Sequence, residues 1–361
     1  MIEYENLNRV NEPYFPEFKK VFSEFLSEGW FILGKNVEAF EKEFADYCGG
    51  GHFVGLASGL DALLFSLKAY DFPAGSEVIV PSNTYIATIL SVLQAGLKPV
   101  LVEPRLSTYN INPDLIETSI TPKTKAIMIV HLYGKACEVQ PIQALCKKYN
   151  LKLIEDCAQA HGARISNKSV GTFGDIGAFS FYPTKNLGAL GDAGGALLHN
   201  PEHVQVFKRL RNYGSDVKYY NEVIGFNSRL DEVQAAFLRI KLRNLESVNN
   251  HKRELAKIYL EELKQDFVKP IVQEDFHDVY HIFNIRHPKR DELKAYLMKH
   301  DIKTEIHYPN PPHKQKAMQG VVSENSFPVS EEIHNTTLSL PISSFHTKDN
   351  IYRVIEIINK F

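Results

Sequence analysis

Apolar residues recur along the first half of the chain with two different spacings. A repeat every third or fourth residue predicts amphipathic helices. This repeat occurs at Val37, Phe40, Phe44 and Tyr47, at Leu60, Leu63, Leu64 and Leu67, and across Ile86–Gln94. Between these helices lie short continuous apolar runs, which are typical of buried parallel strands. These runs are Glu77–Val80, Pro99–Val102, Ala126–Val130, Leu151–Ile154 and, further on, Ile176–Phe181.

This alternation predicts an α/β fold, with a large doubly wound domain built on a mainly parallel sheet. The second half begins with a long amphipathic helical region from about Ser228 to Gln265, and Val279–His287 and Lys303–Tyr308 follow with two helical patterns. We therefore predict a large domain over residues 1–245 and a smaller C-terminal α+β domain over residues 246–361. Ligands of such sheets bind at the carboxyl ends of the strands, so the polar residues that follow each run are candidates for a site.

Composition narrows the class of protein. Hydrophobic residues make up 44% of the chain and charged residues 23%, with a net charge of -2, which favours a globular protein and argues against a nucleic-acid partner. The N-terminal residues are acidic and do not resemble a signal peptide, and the longest apolar stretch, Ala87–Leu97, is too short to span a bilayer. The four cysteines form no CxxC pair and are expected to be reduced. The sequence thus predicts a cytoplasmic protein without a membrane partner.

Lys185 is the first candidate for chemistry. It lies among small, apolar and aromatic residues in the segment from Tyr182 to Asn186. A lysine that loses its solvent has a lowered pKa, which favours the neutral amine that forms Schiff bases. A solvated lysine in a glycine-rich turn is the alternative, and Lys185 alone does not decide between the two.

Asp156 and Ser58 are candidates for cofactor binding. Asp156 follows a predicted buried strand, and a carboxylate there suits pyridoxal phosphate because it keeps the ring nitrogen protonated. Ser58 and Gly59 open an apolar helix, whose free N–H groups suit a phosphate monoester. Ordinary N-capping is the alternative for both Asp156 and Ser58.

An aromatic residue, a hydroxyl and a group of glycines are further candidates. Tyr85 follows a strand and is placed to lie flat on an aromatic cofactor, although a lone aromatic is often core, and the hydroxyl of Ser180 is placed to reach a phosphate. A loop that passes close to a ligand, and not a GxGxxG fingerprint, is predicted at Gly188, Gly191, Gly194 and Gly195. The spacing of the histidines is not that of a metal site, so no metal is predicted.

Two stretches, taken with these candidates, carry a family resemblance. Residues 155–162 read EDCAQAHG and residues 174–188 read GDIGAFSFYPTKNLG. Both strongly resemble the DegT/DnrJ/EryC1/StrS sugar aminotransferases, which are pyridoxal-phosphate enzymes with the aspartate-aminotransferase-like fold (fold type I). The likeness continues in order through Gly29–Gly34, Phe226–Asp231 and His307–Pro309, and so covers nearly the whole chain.

The resemblance implies a role for each matching residue. Lys185 matches the lysine that binds the cofactor and shuttles protons, and Asp156 matches the partner of the pyridine nitrogen. Gln159 matches a neighbour of the phenolic oxygen, and Tyr85 matches the aromatic residue that stacks on the ring. The matches to phosphate contacts are Ser58, Gly59, Ser180 and, reaching the other subunit's cofactor, Asn227. This last match implies a homodimer with shared active sites.

The resemblance also implies an activity. Some relatives carry histidine at the position of Lys185 and dehydrate the sugar, so lysine favours transamination. Similarity to the subgroup that aminates C-3 of a dTDP-linked 3-keto-6-deoxyhexose implies five sugar contacts, at His161, Tyr182, His307, Tyr308 and His313. The implied amino donor is L-glutamate, and the implied setting is deoxyamino sugar or polysaccharide biosynthesis. The alternatives are a 4-keto sugar aminotransferase, a pyridoxal-phosphate-dependent sugar dehydratase and a non-catalytic regulatory protein that binds pyridoxal phosphate.

Overall fold

The computed structural model describes residues 1–322 and 326–361. Its helices are α1 Leu7–Asn11, α2 Phe15–Glu28, α3 Lys35–Cys48, α4 Gly59–Lys68, α5 Ile86–Gln94, α6 Pro113–Ile116, α7 Val139–Tyr149, α8 Pro201–Arg211, α9 Glu232–Leu242, α10 Leu245–Glu262, α11 Arg290–Lys299, α12 Pro328–Thr336 and α13 Lys348–Ile358. Its strands are β1 His52–Leu56, β2 Glu77–Pro81, β3 Lys98–Val102, β4 Thr124–Val130, β5 Lys152–Asp156, β6 Arg164–Ile165, β7 Lys168–Ser169, β8 Ile176–Ser180, β9 Gly194–Leu198, β10 Ser215–Val217, β11 Tyr220–Asn221, β12 Phe276–His277, β13 Phe283–Arg286 and β14 Thr337–Leu340.

Seven strands form one sheet in the order β1-β9-β8-β5-β4-β2-β3. The neighbours from β8 to β3 pair in parallel, and β9 runs antiparallel to both β1 and β8. Side chains along each strand alternate between two apolar cores: Ile127 and Ile129 of β4 face one core, and Ala126 and Met128 face the other. The first core is covered by α3, α7 and α9, and the second by α4, α5 and α8. Helices on both faces of a mainly parallel sheet confirm the predicted fold class.

The strands and helices predicted in the first half are confirmed to within one or two residues, and α5 has the predicted bounds. The long helical region is two helices, α9 and α10, which are separated at Arg243 and Asn244. The loop prediction is wrong for Gly194 and Gly195, because both are buried in β9. A Cβ atom on Gly195 would lie 2.4 Å from the ring of Phe53, so glycine there allows β9 to pack against its neighbour.

A third apolar core lies in the C-terminal part of the chain and is formed by α10, α11, α13 and the antiparallel pair β13 and β14. The predicted strand at Val279–His287 contains β13, whereas Lys303–Tyr308 contributes one bridge, between Glu305 and Ser339. The predicted division between residues 245 and 246 falls at the start of α10 and stays a prediction. Ile2 pairs with Ile302 and packs against this C-terminal core. Of the helices described, none combines the length and apolar character needed to cross a bilayer.

Candidate active site

The carboxyl edge of the sheet brings together the main residues predicted for chemistry. Asp156 ends β5 and Ser180 ends β8, and the parallel register of the two strands pairs Asp156 with Ala178. Lys185 follows Ser180 in a turn, where its N–H donates to the carbonyl of Tyr182 over 2.9 Å. The doubly wound fold therefore places a carboxylate, a hydroxyl and an amine on one edge.

Asp156 is a buried carboxylate with two hydrogen bonds. Its side chain accepts the hydroxyl of Thr88 at Oδ2 over 2.9 Å and the N–H of Ala158 at Oδ1 over 3.1 Å. Burial raises the pKa of Asp156, while these two bonds and the nearby charge of Lys185 oppose the rise. The carboxylate is thus in contact with groups that favour its ionised form.

Lys185 is half-buried. Burial lowers the pKa of Lys185 to about 8, and the charge of Asp156 opposes this shift. A sizeable fraction of the side chain is therefore the neutral, nucleophilic amine near neutral pH.

The N-terminus of α4 lies against the end of β8. Ser58 caps α4, and its Oγ accepts the N–H of Asp61 over 3.1 Å. Gly59 begins the helix, and a Cβ atom there would lie only 2.6 Å from the Cβ of Ser180. This close approach is possible only without a side chain at position 59. It puts the Ser180 hydroxyl beside the free N–H groups of a helix start, which suits an anion.

Tyr85 and Tyr308 line the open side of this edge. Tyr85 precedes α5, is 55% exposed, and has its ring centroid 5.3 Å from that of Tyr308. Gln159 links Tyr308 to the sheet, because its Nε2 donates to the Tyr308 hydroxyl over 3.0 Å. Its Oε1 accepts the N–H of Tyr133 over 2.6 Å, so both ends of the amide are fixed. Gln159 therefore connects the sheet edge to the segment around Tyr308.

The three histidines predicted to contact a sugar lie in different surroundings. His307 adjoins Tyr308, its Nδ1 lies 2.9 Å from the Ser339 hydroxyl, and burial lowers its pKa to about 4. The side chain of His313 is 6% exposed and lies 3.1 Å from Glu331. His307 is therefore next to the site, and His313 offers little surface to a ligand.

His161 lies in the core and not in an open cleft. Its side chain is fully buried, and its ring centroid is 5.8 Å from that of Phe179 and 5.5 Å from that of Phe181. Burial lowers its pKa to about 3. This position does not support the predicted sugar contact, because the aromatic core already surrounds the imidazole. The turn after Gln159 buries this side chain, which the motif alone does not reveal.

Tyr182 and Asn227 are both exposed. Asn227 pairs with Asn212 close to the hairpin of β10 and β11. Large exposed apolar side chains surround this hairpin, at Tyr213, Val217, Tyr219, Tyr220 and Ile224. A large apolar surface of this kind is typical of an interface with another protein.

Three further side chains at this edge were not predicted from the sequence. The Thr88 hydroxyl contacts Asp156, and the Tyr133 hydroxyl donates to the carbonyl of His307. The charge of Lys185 contributes to the lowered pKa of His281, of which burial is the main cause. Tyr133 comes shortly after β4 ends, so the rule that polar residues after strands line the site would have found it. Thr88 is a buried hydroxyl in an apolar helix, which is a weaker signal.

A buried group of possible metal ligands, His131, Glu155 and Cys157, lies behind the site. Glu155 accepts the His131 Nε2–H over 2.9 Å and the N–H groups of Gly171, Phe173 and Gly174. The other ring nitrogen of His131 accepts the N–H of Cys137. Burial raises the pKa of the Cys157 thiol, which keeps it neutral. These hydrogen bonds explain the group as a structural network.

The residues at the edge fit pyridoxal phosphate. The close approach of Gly59 to Ser180 leaves a helix N-terminus and a hydroxyl for the phosphate, and buried Asp156 suits the ring nitrogen. Exposed Tyr85 suits the face of the ring, and Lys185 supplies an amine of lowered pKa. The fold and this set of groups define a pyridoxal-phosphate-dependent aminotransferase.

Comparison with known proteins gives the family. The sequence profile of the DegT/DnrJ/EryC1/StrS aminotransferase family matches residues 15–359, so this chain belongs to that family, whose members depend on pyridoxal phosphate. A dTDP-3-amino-3,6-dideoxy-alpha-D-galactopyranose transaminase of Aneurinibacillus thermoaerophilus is 50% identical, over 100% of this chain and 99% of that protein.

Solved structures agree with this assignment. The structure of S. venezuelae DesV in complex with a ketimine intermediate is 40% identical, with a TM-score of 0.97 over 99% of this chain and 98% of that one. NtdA from Bacillus subtilis with bound cofactor PMP is 30% identical, with a TM-score of 0.93 over 100% of this chain and 85% of that one. The predicted fold, family and cofactor are confirmed.

Proposed function

We propose that this aminotransferase transfers the amino group of L-glutamate to C-3 of a dTDP-linked 3-keto-6-deoxyhexose. The observation that carries the transamination is Lys185, an amine of lowered pKa at the same sheet edge as the buried carboxylate Asp156. The choice of sugar rests on the A. thermoaerophilus relative, whose name specifies a dTDP-linked 3-amino-3,6-dideoxy sugar.

When bound, pyridoxal phosphate supplies the carbonyl carbon that takes up the amino group and a protonated ring that accepts electrons. Asp156 would hold the proton on the ring nitrogen, and the Thr88 and Ala158 hydrogen bonds favour the ionised carboxylate that this role needs. Ser58, Gly59 and Ser180 bind the phosphate through the start of α4 and a hydroxyl.

Lys185 is the general base and acid of this proposal. With the cofactor bound, the neutral amine would remove the proton from Cα of the amino donor, and the ammonium would return that proton at C4′ of the cofactor. The same group acts in reverse when the keto sugar is aminated, and delivery from one side fixes the configuration at C-3. A pKa of about 8 suits both roles, since neither protonation state is rare near neutral pH.

The sugar contacts in the proposal are Tyr182, His307 and Tyr308. Tyr182 is exposed beside Lys185, and Tyr308 shares the open side with Tyr85. His161 and His313 are left out, because one is enclosed by the aromatic core and the other is nearly buried. The four free cysteines are compatible with the cytoplasm, where we place the reaction.

We further propose a homodimer in which Asn227 of each chain contacts the phosphate bound by its partner. Asn227 is exposed, and the nearby apolar hairpin supports an interface at this surface. Mixing Lys185→Ala with Asn227→Ala chains tests this arrangement, because only shared sites leave one intact site in a mixed dimer. Recovery of activity on mixing is expected, and its absence in a proven mixed dimer would contradict shared sites.

The reaction is tested with the purified, yellow protein. L-Glutamate should bleach the cofactor absorbance, and the dTDP-3-keto sugar should restore it with formation of an amino sugar detectable by mass spectrometry. Comparison of 3-keto with 4-keto sugars tests the position, and a 4-keto preference would overturn it. Lys185→Ala should abolish turnover, whereas the exposed Lys123→Ala serves as a control. A sugar dehydratase would release no amino sugar. A regulatory protein would show neither bleaching by L-glutamate nor recovery of the absorbance with the keto sugar.

A further inference from the structure

A short chain of hydroxyl groups ends on the Asp156 carboxylate. The Oγ1 atoms of Thr84 and Thr88 lie 2.8 Å apart, and Thr88 Oγ1 lies 2.9 Å from Asp156 Oδ2. Both threonines are buried, with 2% and 1% of their surface exposed. The chain is therefore shielded from water on its whole length.

The direction of these hydrogen bonds follows from the number of protons. An ionised carboxylate only accepts, so Thr88 donates its single hydroxyl proton to Asp156. Thr88 then accepts at its oxygen, so Thr84 is the donor to Thr88. Hydrogen bonds aligned in this way polarise one another, and each strengthens the next. Both threonines thus act on the charge of Asp156.

Thr88 differs from the other side chains near Asp156 in its hydrogen bond to the carboxylate. In the part of the chain that the structure describes, it is the one side chain that donates a hydrogen bond to this carboxylate, and Ala158 donates from the backbone. The ionisable groups that interact with Asp156 are Lys185, His131, Tyr308, Cys137 and Cys157. Lys185 and His131 favour the ionised carboxylate, but neither forms a hydrogen bond with it.

The chain also connects Asp156 to the aromatic side of the site. Thr84 directly precedes Tyr85, the N-cap residue of α5, and Thr88 lies in the first turn of that helix. The hydrogen bond from Thr88 to Asp156 connects this end of α5 to the end of β5, and Thr84 supports Thr88. The same contact that donates to Asp156 therefore also fixes the backbone that carries Tyr85.

We propose that Thr88, oriented by Thr84, is a positioning residue that keeps Asp156 ionised and aligned to hold the proton of the cofactor's ring nitrogen. This inference rests on the proposed role of Asp156. Burial raises the pKa of Asp156, and loss of the Thr88 bond removes one of the groups that oppose the rise. Without the hydroxyl, the carboxyl would stay protonated to higher pH and would bind the ring nitrogen less well.

The test compares four variants of the full chain. Thr88→Val removes the hydroxyl at nearly constant volume, and Thr88→Ser keeps it. Ser91→Ala is the matched control, because Ser91 is also buried in α5 and its hydroxyl bonds to the Thr88 carbonyl and the Met128 sulfur, away from Asp156. Asp156→Asn removes the charge itself. Pyridoxal phosphate binding is titrated from pH 5 to pH 9 by absorbance, and Asp156 ionisation is followed by infrared difference spectra against Asp156→Asn.

We expect Thr88→Val to bind pyridoxal phosphate at least about tenfold more weakly, as for loss of a hydrogen bond to a charged group. The pH dependence of binding and the infrared carboxyl titration should both move to higher pH. Thr88→Ser and Ser91→Ala should bind nearly like the unchanged chain.

Three results would overturn the proposal. These are unchanged binding and titration in Thr88→Val, an equal defect in Thr88→Ser, and an equal defect in Ser91→Ala. If Asp156→Asn also binds the cofactor with unchanged affinity and absorbance, the proposed role of Asp156 fails as well. A defect in Asp156→Asn with none in Thr88→Val refutes the role of Thr88 alone.

Discussion

The lowered pKa of Lys185 predicts an unusually reactive amine in the cofactor-free chain. With a pKa of about 8, Lys185 is neutral in about a quarter of the molecules at pH 7.5, whereas an ordinary lysine is neutral in about one molecule in a thousand. The neutral fraction of Lys185 is therefore roughly 200-fold larger than that of an ordinary lysine, and Lys185 should react faster with a small acylating reagent if access is equal. The cause is burial, since the ammonium loses hydration in the turn after β8.

Competitive labelling with acetic anhydride across pH 6 to pH 11, read by mass spectrometry, measures this directly. Labelling of Lys185 should reach half its maximum at about pH 8. Asp156→Asn should move this midpoint to lower pH, because the carboxylate favours the ammonium form. The peptide that contains exposed Lys123 serves as the reference within each sample. A midpoint near pH 10 for Lys185, or a shift to higher pH in Asp156→Asn, would refute the reasoning.

Three more predictions concern stability and cofactor binding. Lys185→Met should raise the free energy of unfolding of the cofactor-free chain by up to about 3 kcal/mol at pH 7, because it removes a half-buried ammonium whose hydration is reduced. This gain should shrink as pH rises from about 8 to about 10.5, where the amine is neutral in both states; denaturant titrations at the two ends check it. Gly59→Ala should weaken binding of pyridoxal phosphate, measured by absorbance titration, because its Cβ would collide with Ser180. Glu155→Gln should cost about 3 kcal/mol in a denaturant titration, since the buried carboxylate accepts a histidine and three backbone N–H groups. Burial raises the pKa of Glu155, but those bonds prevail and lower it, so the stability contribution should be present above the carboxyl's ordinary pKa and lost as pH falls below it.

The central strands of the sheet could be predicted because they are buried on both faces. Such strands read as continuous apolar runs, as in β4 and β5. The sequence of β9 begins with Gly194 and Gly195, which have low strand propensity, so its pairing with β1 decides its conformation. Gly195 pairs with Gly55, and neither position supplies an apolar side chain that would reveal the strand. Likewise, α9 and α10 separate at residues without glycine or proline, so packing and not local preference ends α9.

Some residues of the candidate site could also be predicted from the sequence, and others could not. Asp156 and Ser180 follow from one rule, that polar residues at the ends of parallel strands meet at one edge. Thr88 could not be found by this rule, because it lies inside a helix and reaches Asp156 only through the packing of α5 on the sheet. The surroundings of His161 could not be predicted from the sequence either. It lies within the motif that carries Gln159, but the turn directs its ring into the aromatic core.

Burial raises the pKa of Asp156 and lowers that of Lys185, and hydrogen bonds oppose the shift of Asp156. Desolvation alone raises the pKa of the carboxyl and lowers that of the amine, so the two pKa values move closer together. The Thr88 and Ala158 bonds act on one partner only, since they stabilise the carboxylate and leave the amine untouched. The site can therefore keep a fixed negative charge and a reversible proton carrier within one desolvated edge of the sheet. A transaminase needs both, because the ring nitrogen must stay protonated while Lys185 changes its protonation state in each half-reaction.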